Sequence, residues 1–136
     1  CPMAANKLRA LITEGGDIIE GPFDGEEAIT LLADLDAGAT GSMTSGTIVD
    51  QIKPVIDLYH EGDIDGATKA YGRVAMVINH ENRQCGWRSC KAAMADGGVI
   101  KSEFCRHPIE PLHPDIRTRL LSLLRPLDPI VLNWGK

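Results

Sequence analysis

The sequence predicts an α/β fold in which one βαβ unit is followed by a run of helices. Asp17-Ile18-Ile19-Glu20-Gly21 is a short apolar run closed by glycine and proline, as suits a buried parallel strand ending at a loop. Glu26 to Asp36 sets Ala28, Leu31, Leu32 and Leu35 on one stripe at helical spacing. Gly38 to Thr44 reads as a second strand with small side chains and a hydroxyl-rich far end. A parallel pair joined through a helix implies a helix-covered sheet or barrel.

One domain is the default for 136 residues, a length that can bury a real core. Hydrophobic residues make up 43% and charged residues 24%, the balance of a soluble globular protein. Aromatics are only 4%, so the core must be built from Leu, Ile, Val, Ala and Met. A net charge of −5 with no basic block argues against a nucleic-acid or anionic-membrane surface. No apolar run approaches the roughly 20 residues needed to span a bilayer. The N-terminus lacks a basic segment followed by an apolar one, so no signal peptide is expected. Cys1, Cys85, Cys90 and Cys105 match neither a zinc pattern nor a redox Cys-x-x-Cys, and read as reduced, structural thiols in a cytoplasmic protein. Cys1-Pro2 is not how a translated chain begins, which marks a processed product or part of a longer sequence.

From the N-terminus, Met3 to Ile12 is a helix with Ala4, Leu8, Leu11 and Ile12 on one side, stopped by Gly15-Gly16. Pro22 to Gly25 is a turn, with Asp24 as N-cap of the helix that carries Glu26 and Glu27 in its first turn. Ser45-Gly46 is a loop. The next helix runs from about Ile48 to His60 with Ile52, Val55, Ile56 and Tyr59 inward, and Pro54 implies a kink or a later start. Glu61-Gly62-Asp63 stops it and caps a helix from Ile64 to about Arg83. Trp87 to Ala95 is a short helix, Ser102 to His113 an extended loop, and Pro114-Asp115 opens a last helix with Ile116, Leu120, Leu123, Leu124 and Leu127 aligned. The layout is lopsided: two parallel strands alone leave open edges on both sides.

Several strings resemble the C-terminal portion of the dihydrodipicolinate synthase and N-acetylneuraminate lyase superfamily. They are Ala5 to Arg9, Ile19-Glu20-Gly21-Pro22-Phe23-Asp24-Gly25-Glu26-Glu27, Gly38-Ala39-Thr40-Gly41-Ser42-Met43-Thr44, Asn79 to Gln84, and Leu127 to Leu132. Within it they look most like the bacterial 2-keto-3-deoxy sugar acid dehydratases, in particular those acting on L-2-keto-3-deoxyarabonate. The resemblance implies the last two to three β/α units of a (β/α)8 TIM barrel plus a C-terminal helical region, divided at 1–60 and 61–136. Strand seven would be Asp17 to Gly21 and strand eight Ala39 to Thr44.

The superfamily's chemistry is Schiff-base catalysis, in which a lysine condenses with a 2-keto group. By resemblance that lysine falls upstream of Cys1, so no catalytic residue is expected in this chain. Lys7 sits on the following helix, and Tyr59 and Tyr71 read as core. The pocket-facing residues implied are Gly21, Met43, Thr44 and Ser45, at strand ends where barrel active sites lie. Thr44 and Ser45 would hold the substrate carboxylate or else cap the next helix. Met43 would lend a backbone carbonyl or else serve as filler, and Gly21 would allow a close approach of substrate or else be a plain turn glycine. Pro22-Phe23-Asp24, where the synthases carry paired acids, favours a dehydratase. The resemblance further implies no metal and no organic cofactor, a small-molecule 2-keto acid substrate, and a cytoplasmic homo-oligomer, by family a tetramer.

Other groups read more plainly. Asn79 to Arg83 is a solvated helix end in preference to a pocket rim or subunit contact. Glu26 and Glu27 are first-turn charges. His60, His80, His107 and His113 lack zinc-ligand spacing. Three further readings stand beside the dehydratase: a synthase or N-acetylneuraminate-type aldolase, an N-terminal Cys1 nucleophile hydrolase, and a non-catalytic helical oligomerisation module.

Overall fold

The computed structural model describes residues 3–136, so the reading of Cys1 as a nucleophile lies outside the described residues. Helix α1 (Ala4–Gly15) opens the fold and leads into a 3-10 turn, Gly16–Ile18. Strand β1 (Phe23–Asp24), helix α2 (Leu31–Asp36) and strand β2 (Gly41–Ser42) form the βαβ unit. The strands pair in parallel, Phe23 opposite Gly41 and Asp24 opposite Ser42. Thr40 N donates to Pro22 O and Met43 N to Asp24 O, both at 2.8 Å.

The unit is as expected; its first strand is displaced. The stretch Asp17 to Gly21 does not pair, and Ile18 is 87% exposed. Pairing falls instead on residues read as a turn. The reason is Asp24, buried to 3% exposure, whose carboxylate accepts the amides of Glu26 (3.2 Å) and Ala28 (2.9 Å) and the hydroxyl of Ser42 (2.8 Å). These bonds fix the strand end, and the apolar pattern carries no trace of them. Asp24 does act as a cap, but the segment it caps is a turn and not a helix. Glu27 and Ala28 take positive φ (58° and 66°), so the helix starts only at Leu31.

Helix α3 spans Val49–His60 and passes through Pro54 without ending, with that proline on the exposed side. Helix α4 (Ile64–His80) is capped by Asp63, whose side chain accepts Gly66 N at 2.9 Å. It runs directly into a π-helical segment, Glu81–Cys85. Helix α5 (Arg88–Asp96), the irregular stretch 97–113 and helix α6 (Pro114–Leu124) complete the helical part, and 3-10 turns at Arg125–Leu127 and Ile130–Leu132 close it. No helix among the described residues is long and apolar enough to cross a membrane.

The core lies between α2, α3, α4 and α6, centred on Leu31, Ile48, Val55, Val74, Leu120 and Leu124. Burying each such side chain stabilises the fold by about 1.5–3 kcal/mol. The aliphatic stripes read for α2, α3 and α6 face this core, and that of α4 does so from Ala67 on, whereas Leu11 of the first-helix stripe and Ile64 at the start of α4 are 49% and 47% exposed. Helix α1 buries no residue fully, and Phe23 and Met43 remain 58% and 66% exposed beside the strands. The βαβ unit is thus covered on its helical side and carries open apolar surface on the other.

Candidate functional site

Beyond the end of β2 the chain turns through Ser45 and Gly46 into Thr47, and a cleft of about 370 Å³ opens beside it. Its walls come from four places. The turn after β1 supplies Glu27, the loop after β2 supplies Ser45, the π-helical segment supplies Glu81 and Asn82, and the start of α5 supplies Trp87, Ser89 and Cys90.

Glu81 is the unusual member, a carboxyl side chain only 5% exposed. Its Oε1 accepts the Thr47 hydroxyl at 2.5 Å and the Ser45 hydroxyl at 3.4 Å, and those two hydroxyls lie 2.8 Å apart. Ser45 Oγ also accepts Thr47 N at 3.3 Å, which folds the loop back on itself. Burial pushes the Glu81 carboxyl above the ordinary range; the Thr47, Ser89 and Ser45 hydroxyls pull it down, and the charge of Glu27 raises it again. The π turn places it: Gly86 N donates to Glu81 O at 2.8 Å, five residues back, while Asn82 Nδ2 donates to Ile78 O at 2.9 Å. Widened turns of this kind frequently occur at functional sites.

The cysteines nearby sit in surroundings that disfavour the thiolate. Burial, with a smaller push from the Glu81 charge, raises the Cys85 thiol to about 11, and burial raises Cys90 as well. Cys85, Cys90 and Cys105 are unbridged.

Under the turn that carries Glu27 lies a second buried acid, Asp34. Burial raises its carboxyl, the Thr30 hydroxyl at 2.6 Å lowers it, and Asp24 raises it further. The Tyr71 hydroxyl donates to Ala28 O (2.9 Å) and Ile29 O (2.6 Å) and pins the same turn from α4. Tyr71 is half-buried, as a core residue with a tethered tip. No three His, Cys, Asp or Glu side chains among the described residues are grouped to hold a metal ion.

Of the four residues the resemblance points to, Ser45 lines the cleft; Gly21, Met43 and Thr44 do not. Gly21 has φ +48° beside Thr40 Oγ1, Met43 faces outward, and Thr44 Oγ1 is buried without a hydrogen-bond partner. The solvated reading of Asn79 to Arg83 is corrected. Asn79 and Arg83 are exposed, but Glu81 is buried, Asn82 is in the cleft wall, and His80 Nε2 lies 3.1 Å from Ile116 O. Glu27 is likewise a cleft residue and not a first-turn charge, since no helix begins there. A signal for Glu81 was present: it continues the buried stripe of Val74, Val77 and Ile78 at helical spacing, with Cys85 next.

The sequence model of the dihydrodipicolinate synthetase family matches residues 6–126. The chain belongs to that family. It is 59% identical over 134 residues to L-2-keto-3-deoxyarabonate dehydratase of Azospirillum brasilense, covering 98% of this chain and 43% of that protein. Its fold is similar to a crystal structure of dihydrodipicolinate synthase from Rhodopseudomonas palustris, with a TM-score of 0.77 and 22% identity. That match covers 89% of this chain and 42% of the other. As a dihydrodipicolinate synthetase family member, the chain therefore spans less than half the length of these two relatives.

Proposed function

We propose that this chain is the C-terminal part of a Schiff-base lyase that dehydrates a 2-keto-3-deoxy sugar acid such as L-2-keto-3-deoxyarabonate. The observation that carries the reading is the 59% identity, over nearly the whole chain, to a relative named for that reaction. Residues 1–60 would close a (β/α)8 barrel and 61–136 form the helical region behind it. The parallel register of β1 and β2 supports this, as does the apolar surface left open beside them.

In this reading a lysine upstream of Cys1 condenses with the 2-keto carbonyl, releasing water and forming an imine. The imine withdraws electrons from C3. Loss of a C3 proton and of the neighbouring hydroxyl as water completes a dehydration. This chain would supply the far wall of the pocket, with Ser45 and Glu81 in the cleft and Gly21, Met43 and Thr44 near the substrate by resemblance alone. The working protein would be a homo-oligomer, tetrameric by resemblance. Exposed Met76, in a groove with Leu123 and His80 between α4 and α6, supports a subunit contact.

Borohydride reduction in the presence of pyruvate tests the reading on the full-length polypeptide. A stable covalent adduct is expected, and its absence would reject the Schiff-base mechanism.

A further inference from the structure

The cleft wall carries two carboxyl side chains, Glu27 and Glu81, together with Ser45, Asn82, Ser89 and the indole of Trp87. Among the described residues, no lysine, arginine or histidine lines it. The substrate class proposed above is an acid at one end and a polyol at the other. These two ends make opposite demands. A carboxylate is held by cations or by several converging donors. A hydroxyl both donates and accepts, so it is satisfied by a carboxylate, an amide and a serine together.

We propose that this cleft takes the neutral, hydroxyl-bearing end of the substrate and rejects a carboxylate there, so that Glu27 and Glu81 set specificity. The inference rests on the lyase reading for the identity of the substrate. It departs from the expectation that Ser45 holds the substrate carboxylate, which must then be bound by other parts of the pocket.

Three features support the assignment. Glu81 is kept almost out of water while its Oε1 accepts the Ser45 and Thr47 hydroxyls, so the loop after β2 is tied to the acid and cannot turn both hydroxyls toward an incoming anion. Glu27, on the turn anchored by Tyr71, adds a second negative charge close enough to act on Glu81. Trp87, 83% exposed, offers the flat apolar surface against which the C–H faces of a polyol pack. Repulsion of the wrong end is as effective a source of selectivity as attraction of the right one.

Two ligands that lack the 2-keto group, and so are not turned over, serve as probes: 2-hydroxy-3-deoxy acids of equal length, one ending in CH2OH and one in a carboxylate. Calorimetry on the full-length protein is expected to show tighter binding of the hydroxyl-ended acid. Glu81→Gln should shrink that preference by about tenfold or more, mainly through tighter binding of the carboxylate-ended acid. Should circular dichroism show Glu81→Gln misfolded, Glu27→Gln on the exposed rim decides by the same ratio. The inference is overturned if the folded variant keeps the wild-type preference, if the wild type prefers the carboxylate-ended acid, or if neither probe binds. Pyruvate trapping of the wild type in parallel separates the two claims. A trapped adduct with an unchanged preference removes only the specificity assignment, whereas no adduct removes the lyase reading whatever the probes do.

Discussion

Thr47 Oγ1 donates a 2.5 Å hydrogen bond to Glu81 Oε1 across 34 residues of chain, joining the loop after β2 to the π-helical end of α4. Thr47 is fully buried and Glu81 nearly so, and the bond therefore works in a low-dielectric setting where a lost partner is expensive. Thr47→Val keeps the shape and removes the donor. It should destabilise the protein by about 1–3 kcal/mol in urea unfolding, and raise the Glu81 carboxyl further. Unchanged stability would mean that the hydroxyl carries no weight.

Glu81 and Asp34 give stability a pH dependence of known sign. Both carboxyls are raised in the folded state, chiefly by burial. Their contribution is fully present below the ordinary carboxyl range and is lost as pH rises through the raised folded values. Glu81→Gln removes one of the two. Its melting temperature, compared with wild type, should improve progressively as pH rises through and above the ordinary carboxyl range. A constant difference across that range would contradict a burial-driven shift.

Gly97 shows how closely the C-terminal turn docks on α5. A β-carbon there would sit 1.9 Å from Val131 O and 2.9 Å from Leu132 Cα, both backbone atoms. Gly97→Ala forces the segment Ile130–Leu132 off its seat, at a cost of about 1–3 kcal/mol measurable by denaturant titration.

Tyr71→Phe tests the support of the Glu27 turn. It deletes the hydrogen bonds to Ala28 O and Ile29 O at a cost of about 1 kcal/mol. The amide of Ile29, which donates to Glu26 O within that turn, should exchange with solvent faster.

The helices were legible because burial is periodic. Ile52 and Val55 in α3, Val74 and Ile78 in α4, and Leu120 and Leu124 in α6 lie on the stripes read from the sequence. The strands were legible in kind and order but not in register, because β1 is decided by what Asp24 accepts and not by apolar content. Ile18-Ile19 had the stronger strand composition and lost. In the candidate cleft, Ser45 is a residue the resemblance points to, while the sequence alone reads Glu81 as solvated because an acid at a helix end usually is. Its spacing from Val77 and Ile78 held the contrary information, and only packing against Thr47 makes that information decisive.

On the reading proposed, these residues form one wall of a site whose reactive amine lies elsewhere in the polypeptide. Borohydride reduction of the full-length protein with pyruvate, coupled to peptide mapping, locates that amine. A single modified lysine upstream of Cys1, with no adduct within residues 1–136, is the expected result. An adduct on Lys7 or any other lysine of this chain would contradict it.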